Sequence, residues 1–404
     1  MELHVQKYGG SSVADVDKIK YVARRIVETA DEGNQIVAVV SALGDTTDEL
    51  IELAEEVSNV RPKREMDLLM STGEVISSAL VAMAVADEGK DARALIAHQL
   101  GIQTDFTHTK ARILNIDDQR LRQELDAGNI VIAAGFQGIT EEEDVTTLGR
   151  GGSDTTAVAL AAALGAAECE IYTDVDGVFT ANPQVVEGAH KIDRISPEEM
   201  LELASLGAEV LQVRAVEFAW KYNVKLHVRS SFNDQIGTII TGSDEEMEDV
   251  EVRAVTSDDD QTRFTVLDVP DKPGMAGKIF GALADSEINV DMIVQSSPVH
   301  KEGANDISFT VSRADSAEAL EILDELVEAG CGDEVTTDDA ISKVSVVGSG
   351  MRNHPGVAQK LFNALGGAGI NIETISTSEI KISVLVSEMQ SDEAVQVLHD
   401  VYEL

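Results

Sequence analysis

Glycines and charged residues stand directly before a run of small apolar residues at positions 149–165, GRGGSDTTAVALAAALG. Glycines before a helix let backbone N–H groups approach an anion, and the helix dipole favours negative charge there. Arg150 could hold a carboxylate through two parallel hydrogen bonds. Ser153 and Asp154 could take part in binding, or they could only cap the helix. From this segment alone, the capping role is at least as well supported. The segment matches neither a Walker A loop nor a dinucleotide fingerprint.

A second glycine turn follows a short strand in QKYGGSS at residues 6–12. Lys7 stands at the strand end, and Gly9 and Gly10 form the turn. A lysine in that position is well placed to stabilise the oxygens of a phosphoryl group during transfer. A solvated surface lysine is the alternative, but the paired glycines favour the functional interpretation.

STGE at residues 71–74 lies inside a helical pattern. Gly73 costs about 1 kcal/mol relative to alanine in a helix, which indicates a local requirement for glycine. Glu74 could bind an ammonium group. From this motif alone, a glutamate that faces solvent is the better supported alternative.

YTDVDGVF at residues 172–179 predicts a strand that ends in Asp174 and Asp176 before a glycine turn. These carboxylates could contact a nucleotide or its Mg²⁺. An ordinary Asp-Gly turn is the strong alternative. An EF-hand loop is excluded because its third acidic position and its closing glutamate are missing.

Several familiar catalytic motifs are missing from the sequence. The eight histidines lack the spacing of a metal site such as HExxH, and there is no GxSxG motif, so no resident metal site is predicted. A side-chain carboxylate has a reference pKa of about 4 and is already an ionised nucleophile at neutral pH. Its attack on ATP would need only cations, backbone N–H groups and Mg²⁺.

The elements that must position these residues alternate between short apolar strands and helical patterns upstream of residue 242. Such alternation is typical of a mostly parallel sheet covered on both faces. The predicted strands are Ile36–Val40, Ile130–Ala134 and Lys225–Val228, and the predicted helices are Lys18–Ala30, Glu65–Ala86, Ser153–Leu164 and Pro197–Leu206.

Composition narrows the possible partners and location. A chain of 404 residues predicts two or three domains. Its net charge of −42 repels nucleic acid and anionic membranes, so both are excluded as partners. Adaptation to high salt and a merely solvated acidic surface both remain open as origins of this charge. Two distant cysteines, no signal-peptide pattern and a longest apolar run of only 157–167 predict a cytoplasmic protein.

The last third of the chain repeats itself after an acidic linker at residues 242–262. VPDKPGMAGKIFGALADSEINVDMI aligns without a gap on SGMRNHPGVAQKLFNALGGAGINIETI, with Pro273 on Pro355. This repeat predicts two small sister domains. In each copy Pro-Gly opens an amphipathic helix whose first N–H groups could bind a carboxylate. An ordinary helix entry is the alternative, but the duplication favours a ligand.

The chain resembles the aspartate kinases, in their bacterial form with two C-terminal ACT domains, over nearly its whole length. The motifs that carry the resemblance are QKYGGSS (6–12), VVSALGDTTDEL (39–50), TLGRGGSDTTA (147–157), YTDVDGVFT (172–180), RAVEFA (214–219) and INIETISTSEIKISVLV (370–386).

The resemblance implies an α/β fold: an amino-acid kinase domain with a mostly parallel central sheet, followed by two ferredoxin-like ACT domains. The kinase domain would span 1–245, the acidic linker and first ACT domain 246–335, and the second ACT domain 336–404. A strand at 250–255 would belong with the second ACT domain. The implied reaction is phosphorylation of the β-carboxylate of L-aspartate by ATP with Mg²⁺, giving 4-phospho-L-aspartate. That reaction begins the synthesis of lysine, threonine, methionine and isoleucine.

Roles for individual residues are also implied by the resemblance. Lys7 would stabilise the transferred phosphoryl group. Glu74 would take the amino group of aspartate and Arg150 its α-carboxylate, while Asp154 helps to position the reactants. The other substrate residues would be Ser41, Thr47 and Ser153. The nucleotide residues would be Gly9, Gly10, Thr173, Asp174, Asp176, Phe179 and Gln184. The effector residues would be Asp271, Gly274, Ala276, Asn289, Gln295 and Asn371.

Two positions depart from the family pattern. Gln184 stands where the nucleotide motif usually ends in arginine, and Glu209 replaces a common lysine. Weaker ATP binding and compensation by salt cations are two hypotheses for this loss of positive charge. The resemblance further implies inhibition by lysine, threonine or both, and a homodimer or larger assembly, with a shorter ACT-only subunit in some relatives.

Two rival functions remain. One is a carboxylate kinase of the same fold that acts on glutamate or N-acetylglutamate, which would lack paired ACT domains. The other is a non-catalytic amino-acid sensor, which the changes at Gln184 and Glu209 motivate.

Overall fold

The computed structural model describes residues 2–207, 210–242, 251–296 and 303–404. These residues divide into two compact units. The first unit comprises residues 2–179, 191–205 and 210–242, and the second comprises 180–190, 206–207, 251–296 and 303–404.

The first unit holds the strands β1–β12 and the helices α1–α8. The strands are β1 (Leu3–Tyr8), β2 (Gln35–Val40), β3 (Ala92–Leu95), β4 (Ile102–Thr104), β5 (Ile113–Ile116), β6 (Ile130–Ala134), β7 (Gln137–Ile139), β8 (Val145–Thr147), β9 (Glu168–Thr173), β10 (Arg194–Ile195), β11 (Leu226–Ser230) and β12 (Thr238–Ile240). The helices are α1 (Val16–Asp31), α2 (Thr46–Val57), α3 (Lys63–Asp87), α4 (Ala97–Leu100), α5 (Gln119–Asp126), α6 (Gly152–Leu164), α7 (Pro197–Ser205) and α8 (Val213–Tyr222).

The large sheet of the first unit is mostly parallel, with the order β10-β12-β11-β9-β1-β2-β6-β3 and one antiparallel pair, β11 with β12. A smaller sheet has the order β5-β4-β7-β8. Alternate residues of β2 and β6 pack with α1 and α3 in one apolar cluster. Val37 and Val39 are equally buried on the other face, where α6 contacts β1, β2 and β9. The continuous apolar strands therefore belong to a sheet covered on both sides, as predicted.

The predicted helices are all present and differ from the observed ones by at most two residues at either end. The strand predicted at Lys225–Val228 is displaced slightly and runs from Leu226 to Ser230. The strand before the Asp-Gly turn was placed wrongly. It ends at Thr173, so Asp174 and Asp176 lie in the turn that follows and not in the strand.

Helix α3 is longer than the apolar run 157–167. It is the one helix in the described parts of the chain whose length and composition would suit a membrane, with a mean hydropathy of 1.7 over 18 residues. Its buried side nevertheless carries the carboxylates of Asp67 and Glu74 and packs on α1, β3 and β6. These features are typical of a core helix in a globular domain.

The second unit holds β13–β20 and α9–α12. The strands are β13 (Ala254–Asp258), β14 (Thr262–Pro270), β15 (Asp291–Ser296), β16 (Ala304–Val311), β17 (Glu334–Asp338), β18 (Ile341–Val347), β19 (Thr374–Thr377) and β20 (Lys381–Ser387). The helices are α9 (Met275–Asp285), α10 (Ser316–Glu328), α11 (Val357–Gly367) and α12 (Ser391–Val401). Short 3-10 helices lie at Gly10–Ser12 in the first unit and at Arg313–Asp315, Ser349–Asn353 and Glu388–Gln390 in the second.

The sequence repeat corresponds to two sheets of the same design, β15-β16-β14-β17 and β13-β18-β20-β19. In the second sheet β13 takes the edge position that β17 takes in the first, and Ala254 pairs with Val347. The strand expected at 250–255 thus begins at Ala254 and lies in the second ACT sheet. Helices α9 and α11 both follow a left-handed glycine, Gly274 (φ 94°) and Gly356 (φ 118°), so each Pro-Gly opens a helix as predicted.

The chain segment 180–190 belongs to the second unit. Ala181 and Val186 lie in the same apolar cluster as buried residues of β18, β20, α11 and α12. Thr180 Oγ1 lies 2.9 Å from His399 Nε2. The chain therefore enters the core of the second ACT domain immediately after Phe179.

Candidate active site

The predicted kinase residues gather at the carboxyl ends of neighbouring parallel strands. Lys7 lies near the end of β1, Ser41 follows β2, and Thr173 ends β9. The chain fills the sheet from β1 towards β2 and β6 on one side, and later adds β9 and β11 on the other. The strand order therefore reverses between β1 and β9, and ligands bind at such switch points in open α/β sheets.

Lys7 and Asp154 form an ion pair at this switch point. The distance from Lys7 Nζ to Asp154 Oδ1 is 2.7 Å, and the side chains are only 13% and 9% exposed. A Cβ on Gly9 would lie 3.3 Å from Lys7 Nζ, so glycine leaves the ammonium group unobstructed. The alternative of a solvated surface lysine is wrong for Lys7.

The start of α6 has glycine caps instead of side-chain caps. Gly151, with φ 68°, is the N-cap residue and makes no side-chain capping bond. Ser153 and Asp154 lie inside the first turn and are buried, so the N-cap alternative is wrong for both. A Cβ on Gly135 would lie 2.7 Å from Ser153 Oγ, which puts Ser153 against the end of β6. Arg150 is exposed in the loop before the helix.

Glu74 is buried, with 3% exposure, and one of its oxygens is unused. Its Oε1 accepts the Ala42 N–H at 3.0 Å, while Oε2 has no hydrogen-bond partner among the residues that the structure describes. Burial raises the pKa of the Glu74 carboxyl to about 7, and the Ala42 N–H opposes this shift. The alternative of a glutamate that faces solvent is wrong.

Gly73 explains how Glu74 reaches the strand end. A Cβ on Gly73 would lie 2.7 Å from the Ala42 Cβ, closer than real Cβ contacts come. Glycine therefore lets α3 approach the turn after β2 closely enough for Glu74 to bond its backbone. This is the local requirement that the sequence indicated.

The turns after β1 and β2 pack backbone against backbone. A Cβ on Gly10 would lie 3.0 Å from the Gly44 carbonyl oxygen, and Gly44 N–H donates to the Gly10 carbonyl at 3.1 Å. Ser41 N–H donates to the Tyr8 carbonyl at 3.0 Å. Thr47 is half-buried in the first turn of α2. Ser41 and the Gly10 turn therefore share one rim of the site.

The nucleotide motif lies on the other side of Lys7. Thr173 accepts the Ser231 N–H at 2.7 Å through its carbonyl, and Asp176 Oδ1 accepts from Asn233 Nδ2 at 2.7 Å. Asp174 is exposed and Phe179 half-buried. Gln184 is exposed and belongs to the segment 180–190 of the second unit. Glu209 lies outside the described residues.

Sequence reasoning missed the loop after β11. Ser231 Oγ lies 2.5 Å from Ser12 Oγ, so this loop contacts the first glycine turn as well as Asp176. Arg25 holds it in place by donating to the carbonyl of Asn233 at 2.9 Å. The available signal was a polar turn, SSFND, directly after a predicted strand. No local pattern indicated Arg25, because it lies within the helical pattern of α1.

The predicted effector residues lie around the loop and helix entry of each ACT repeat. Those in the first repeat surround α9 and the edge strand β15, and the last lies at the corresponding place before β19 in the second repeat. All are exposed: Asp271, Gly274, Ala276, Asn289, Gln295 and Asn371.

Comparison with known proteins identifies the families to which the parts of the chain are similar. The amino acid kinase family model matches residues 2–230, and the ACT domain model matches residues 268–326 and 344–402. The aspartokinase of Mycolicibacterium smegmatis is 52% identical, over all of this chain and 97% of that protein. The chain belongs to the aspartokinase family. It is therefore an aspartate kinase, a phosphotransferase with a carboxyl group as acceptor, and the prediction from the motifs is confirmed.

Solved aspartokinases share the fold. E. coli aspartokinase III in complex with aspartate and ADP has a TM-score of 0.83 at 25% identity, with 99% of each chain covered. The same enzyme in complex with lysine and aspartate has a TM-score of 0.77 at 25% identity and the same coverage. The predicted amino-acid kinase fold with C-terminal ACT domains is confirmed.

Proposed function

We propose that this aspartokinase transfers the γ-phosphoryl group of ATP to the β-carboxylate of L-aspartate, giving 4-phospho-L-aspartate and ADP. The observation that carries the proposal is the buried carboxylate of Glu74, whose Oε2 has no hydrogen-bond partner among the described residues. It lies at the same edge of the sheet as the Lys7–Asp154 ion pair. A buried acceptor without a donor is costly unless a ligand supplies one. The ammonium group of an amino acid is such a donor.

The aspartate side of the site would hold the substrate at both ends. Glu74 Oε2 accepts from the ammonium group, and the exposed Arg150 binds the α-carboxylate in a bidentate manner. Ser41, Thr47 and Ser153 complete the contacts. Fixing both ends leaves the β-carboxylate directed at the phosphoryl group, which lowers the entropic part of the barrier.

The chemistry needs no general base because the attacking carboxylate is already ionised. Lys7 stabilises the charge on the transferred phosphoryl oxygens, and Asp154 holds its ammonium group in place. Gly9 and Gly10 let the backbone approach the phosphates closely. Thr173, Asp174, Asp176, Phe179 and Gln184 are the proposed nucleotide contacts.

Mg²⁺ would accompany ATP instead of residing in the protein. Within the described ranges, no group of three or more histidine, cysteine, aspartate or glutamate side chains could hold a metal ion. Mg²⁺ in kinases commonly binds one or two carboxylates together with substrate phosphates, and the exposed Asp174 could supply one. When bound, the ion neutralises phosphate charge.

Regulation is proposed to act through the ACT domains. Lysine, threonine or both would bind near Asp271, Gly274, Ala276, Asn289, Gln295 and Asn371, and reduce activity. A relative from E. coli is known in complex with lysine. The reaction would begin the lysine, threonine, methionine and isoleucine pathways in the cytoplasm, where the two buried free cysteines stay reduced. A homodimer or larger assembly, with an ACT-only subunit as a variant, remains the expected state.

The test is ADP release with aspartate and Mg-ATP, with and without lysine plus threonine, at several KCl concentrations. Lys7→Ala should lower kcat at least about 100-fold, while Lys20→Ala, at an exposed lysine on α1, serves as the matched control. Turnover that depends on aspartate and not on glutamate or N-acetylglutamate supports the proposal. Lysine binding without turnover at any salt concentration would instead support the amino-acid sensor.

A further inference from the structure

Asp67 is a fully buried carboxylate to which the proposed chemistry gives no role. It lies on α3 with 0% exposure. The Thr109 N–H lies 3.0 Å from each of its oxygens, Thr147 Oγ1 donates to Oδ1 at 2.5 Å, and His108 Nδ1 lies 2.7 Å from Oδ2. The two oxygens of Asp67 therefore form hydrogen bonds with two separate segments of the chain, residues 108–109 and Thr147.

These two segments meet at the loop that carries Arg150. Thr147 ends β8 three residues before the arginine, and Ala111 N–H donates to the Thr147 carbonyl at 2.9 Å. Thr109 has a φ of 71°, and a Cβ on Gly149 would lie 3.2 Å from its carbonyl oxygen. Asp67 thus ties the Thr109 turn to the base of the loop.

Arg214 also holds the start of the loop that carries Arg150. Its guanidinium donates to the carbonyls of Leu148 and Ala111, both at 2.9 Å. Beyond Leu148 the backbone turns through Gly149 and Gly151, which are both left-handed. The position of Arg150 is therefore set by the hydrogen bonds up to Leu148 and by these two turns.

Asp67 and Glu74 share one face of α3. They are seven residues apart, almost two full helical turns, so their side chains project in nearly the same direction. Along this one helix, Glu74 presents its unused oxygen while Asp67 holds the Arg150 loop. A single rigid element consequently sets the distance between the proposed ammonium contact and the proposed α-carboxylate contact.

We propose that Asp67 is a positioning residue for aspartate binding, which fixes the loop 147–151 and hence Arg150 relative to Glu74. The inference rests on the proposed role of Arg150. A carboxylate suits the task because it only accepts hydrogen bonds and all of its described neighbours can donate. An amide at this position would turn an N–H₂ group towards the Thr109 N–H, the Thr147 hydroxyl or His108.

The experiment compares Asp67→Asn, Thr147→Val and Arg150→Met, with Glu124→Gln as the control. Glu124 is a buried glutamate of α5 that accepts from Asn129, away from the proposed site residues. Asp67→Asn should raise KM for aspartate at least about tenfold and leave KM for ATP within about twofold. Thr147→Val should move KM for aspartate in the same direction by less, and it remains informative if Asp67→Asn does not fold.

The decisive variant is the double mutant Asp67→Asn/Arg150→Met. If Asp67 acts through Arg150, the double mutant should bind aspartate no more weakly than Arg150→Met alone. Full additivity, or an equal rise in both KM values, would show a general structural role and overturn the inference. If Arg150→Met leaves KM for aspartate unchanged, the proposed role of Arg150 fails and the inference fails with it. Turnover by the wild type reports separately on the proposed reaction.

Discussion

The Lys7 ammonium group lies 2.7 Å from the Asp154 carboxylate and joins the end of β1 to the first turn of α6. Both side chains are about nine-tenths buried, and burying two charges carries a desolvation penalty that such a pair often fails to recover. The pair is therefore weak as a stabilising device. Its geometry instead suits a role in the reaction: Asp154 fixes the Lys7 ammonium group at the switch point of the sheet, between the aspartate side and the nucleotide side of the site.

Removing either partner of this pair should affect turnover more than binding. We expect Lys7→Met and Asp154→Asn each to lower kcat about 100-fold to 1000-fold, the range for losing one preorganised charge-stabilising group. Because the two residues act together, the double mutant should be little worse than Lys7→Met. Steady-state kinetics with a coupled ADP assay measure this. A kcat for Asp154→Asn that stays near wild type would separate Asp154 from the chemistry.

Glu74→Gln should weaken aspartate binding and yet stabilise the protein without ligand. Burial raises the Glu74 pKa from 4.5 to about 7, so the ionised form is disfavoured in the folded state. At pH 8 the neutral amide removes a penalty of up to about 3 kcal/mol, at about 1.4 kcal/mol per pKa unit. Thermal unfolding at pH 8 should therefore occur at the same or a higher temperature. A lower Tm together with an unchanged KM for aspartate would contradict both roles.

The same pKa predicts how aspartate binding depends on pH. Below about pH 7 the Glu74 carboxyl becomes protonated and loses its charge attraction for an ammonium group. KM for aspartate should therefore rise as the pH falls from 8 to 6, while Glu74→Gln shows a high KM with little pH dependence.

The stability of the folded protein should depend on pH in the opposite sense to aspartate binding. Between pH 4.5 and about 7 the folded state binds more protons at Glu74 than the unfolded state does. Its contribution to stability is therefore lost as the pH rises through that range.

Gly73→Ala tests the close approach of α3 to the turn after β2. The new Cβ would lie 2.7 Å from the Ala42 Cβ, so helix or turn must move, at a cost of about 1–3 kcal/mol. Tm should fall and KM for aspartate should rise, because Glu74 no longer reaches Ala42. Gly281→Ala is the matched control: it lies inside α9 with no atom within 4 Å of a new Cβ, and should stabilise by up to about 1 kcal/mol. Equal effects of the two substitutions would argue against the packing explanation.

How much the sequence could predict depended on whether a residue's role is local. Lys7 and Arg150 could be picked out from the sequence because Lys7 lies two residues before a glycine turn and Arg150 lies within a glycine-rich loop. Glu74 was ambiguous, since its burial depends on Ala42, a residue 32 positions away. Asp67 was not found, because its partners lie 41 to 80 positions along the chain and no short pattern reveals such contacts. The two repeats gave the ACT pair, but the exact start of β13 depends on its pairing with β18.

Salt should strengthen ATP binding to this protein. With a net charge of −42, the surface repels polyanions such as ATP at low ionic strength, and Gln184 and Glu209 supply no positive charge where the family usually does. Because added salt shortens the Debye length from about 30 Å at 0.01 M to about 3 Å at 1 M, KM for ATP should fall as KCl is raised. KM for aspartate, a smaller anion, should fall less.

The variant Gln184→Arg tests this explanation in the same KCl titration. It should show a lower KM for ATP at low salt and a weaker response of that KM to KCl. A KM for ATP that is independent of KCl in both proteins would exclude compensation by salt cations and leave weaker ATP binding as the consequence of the two substitutions.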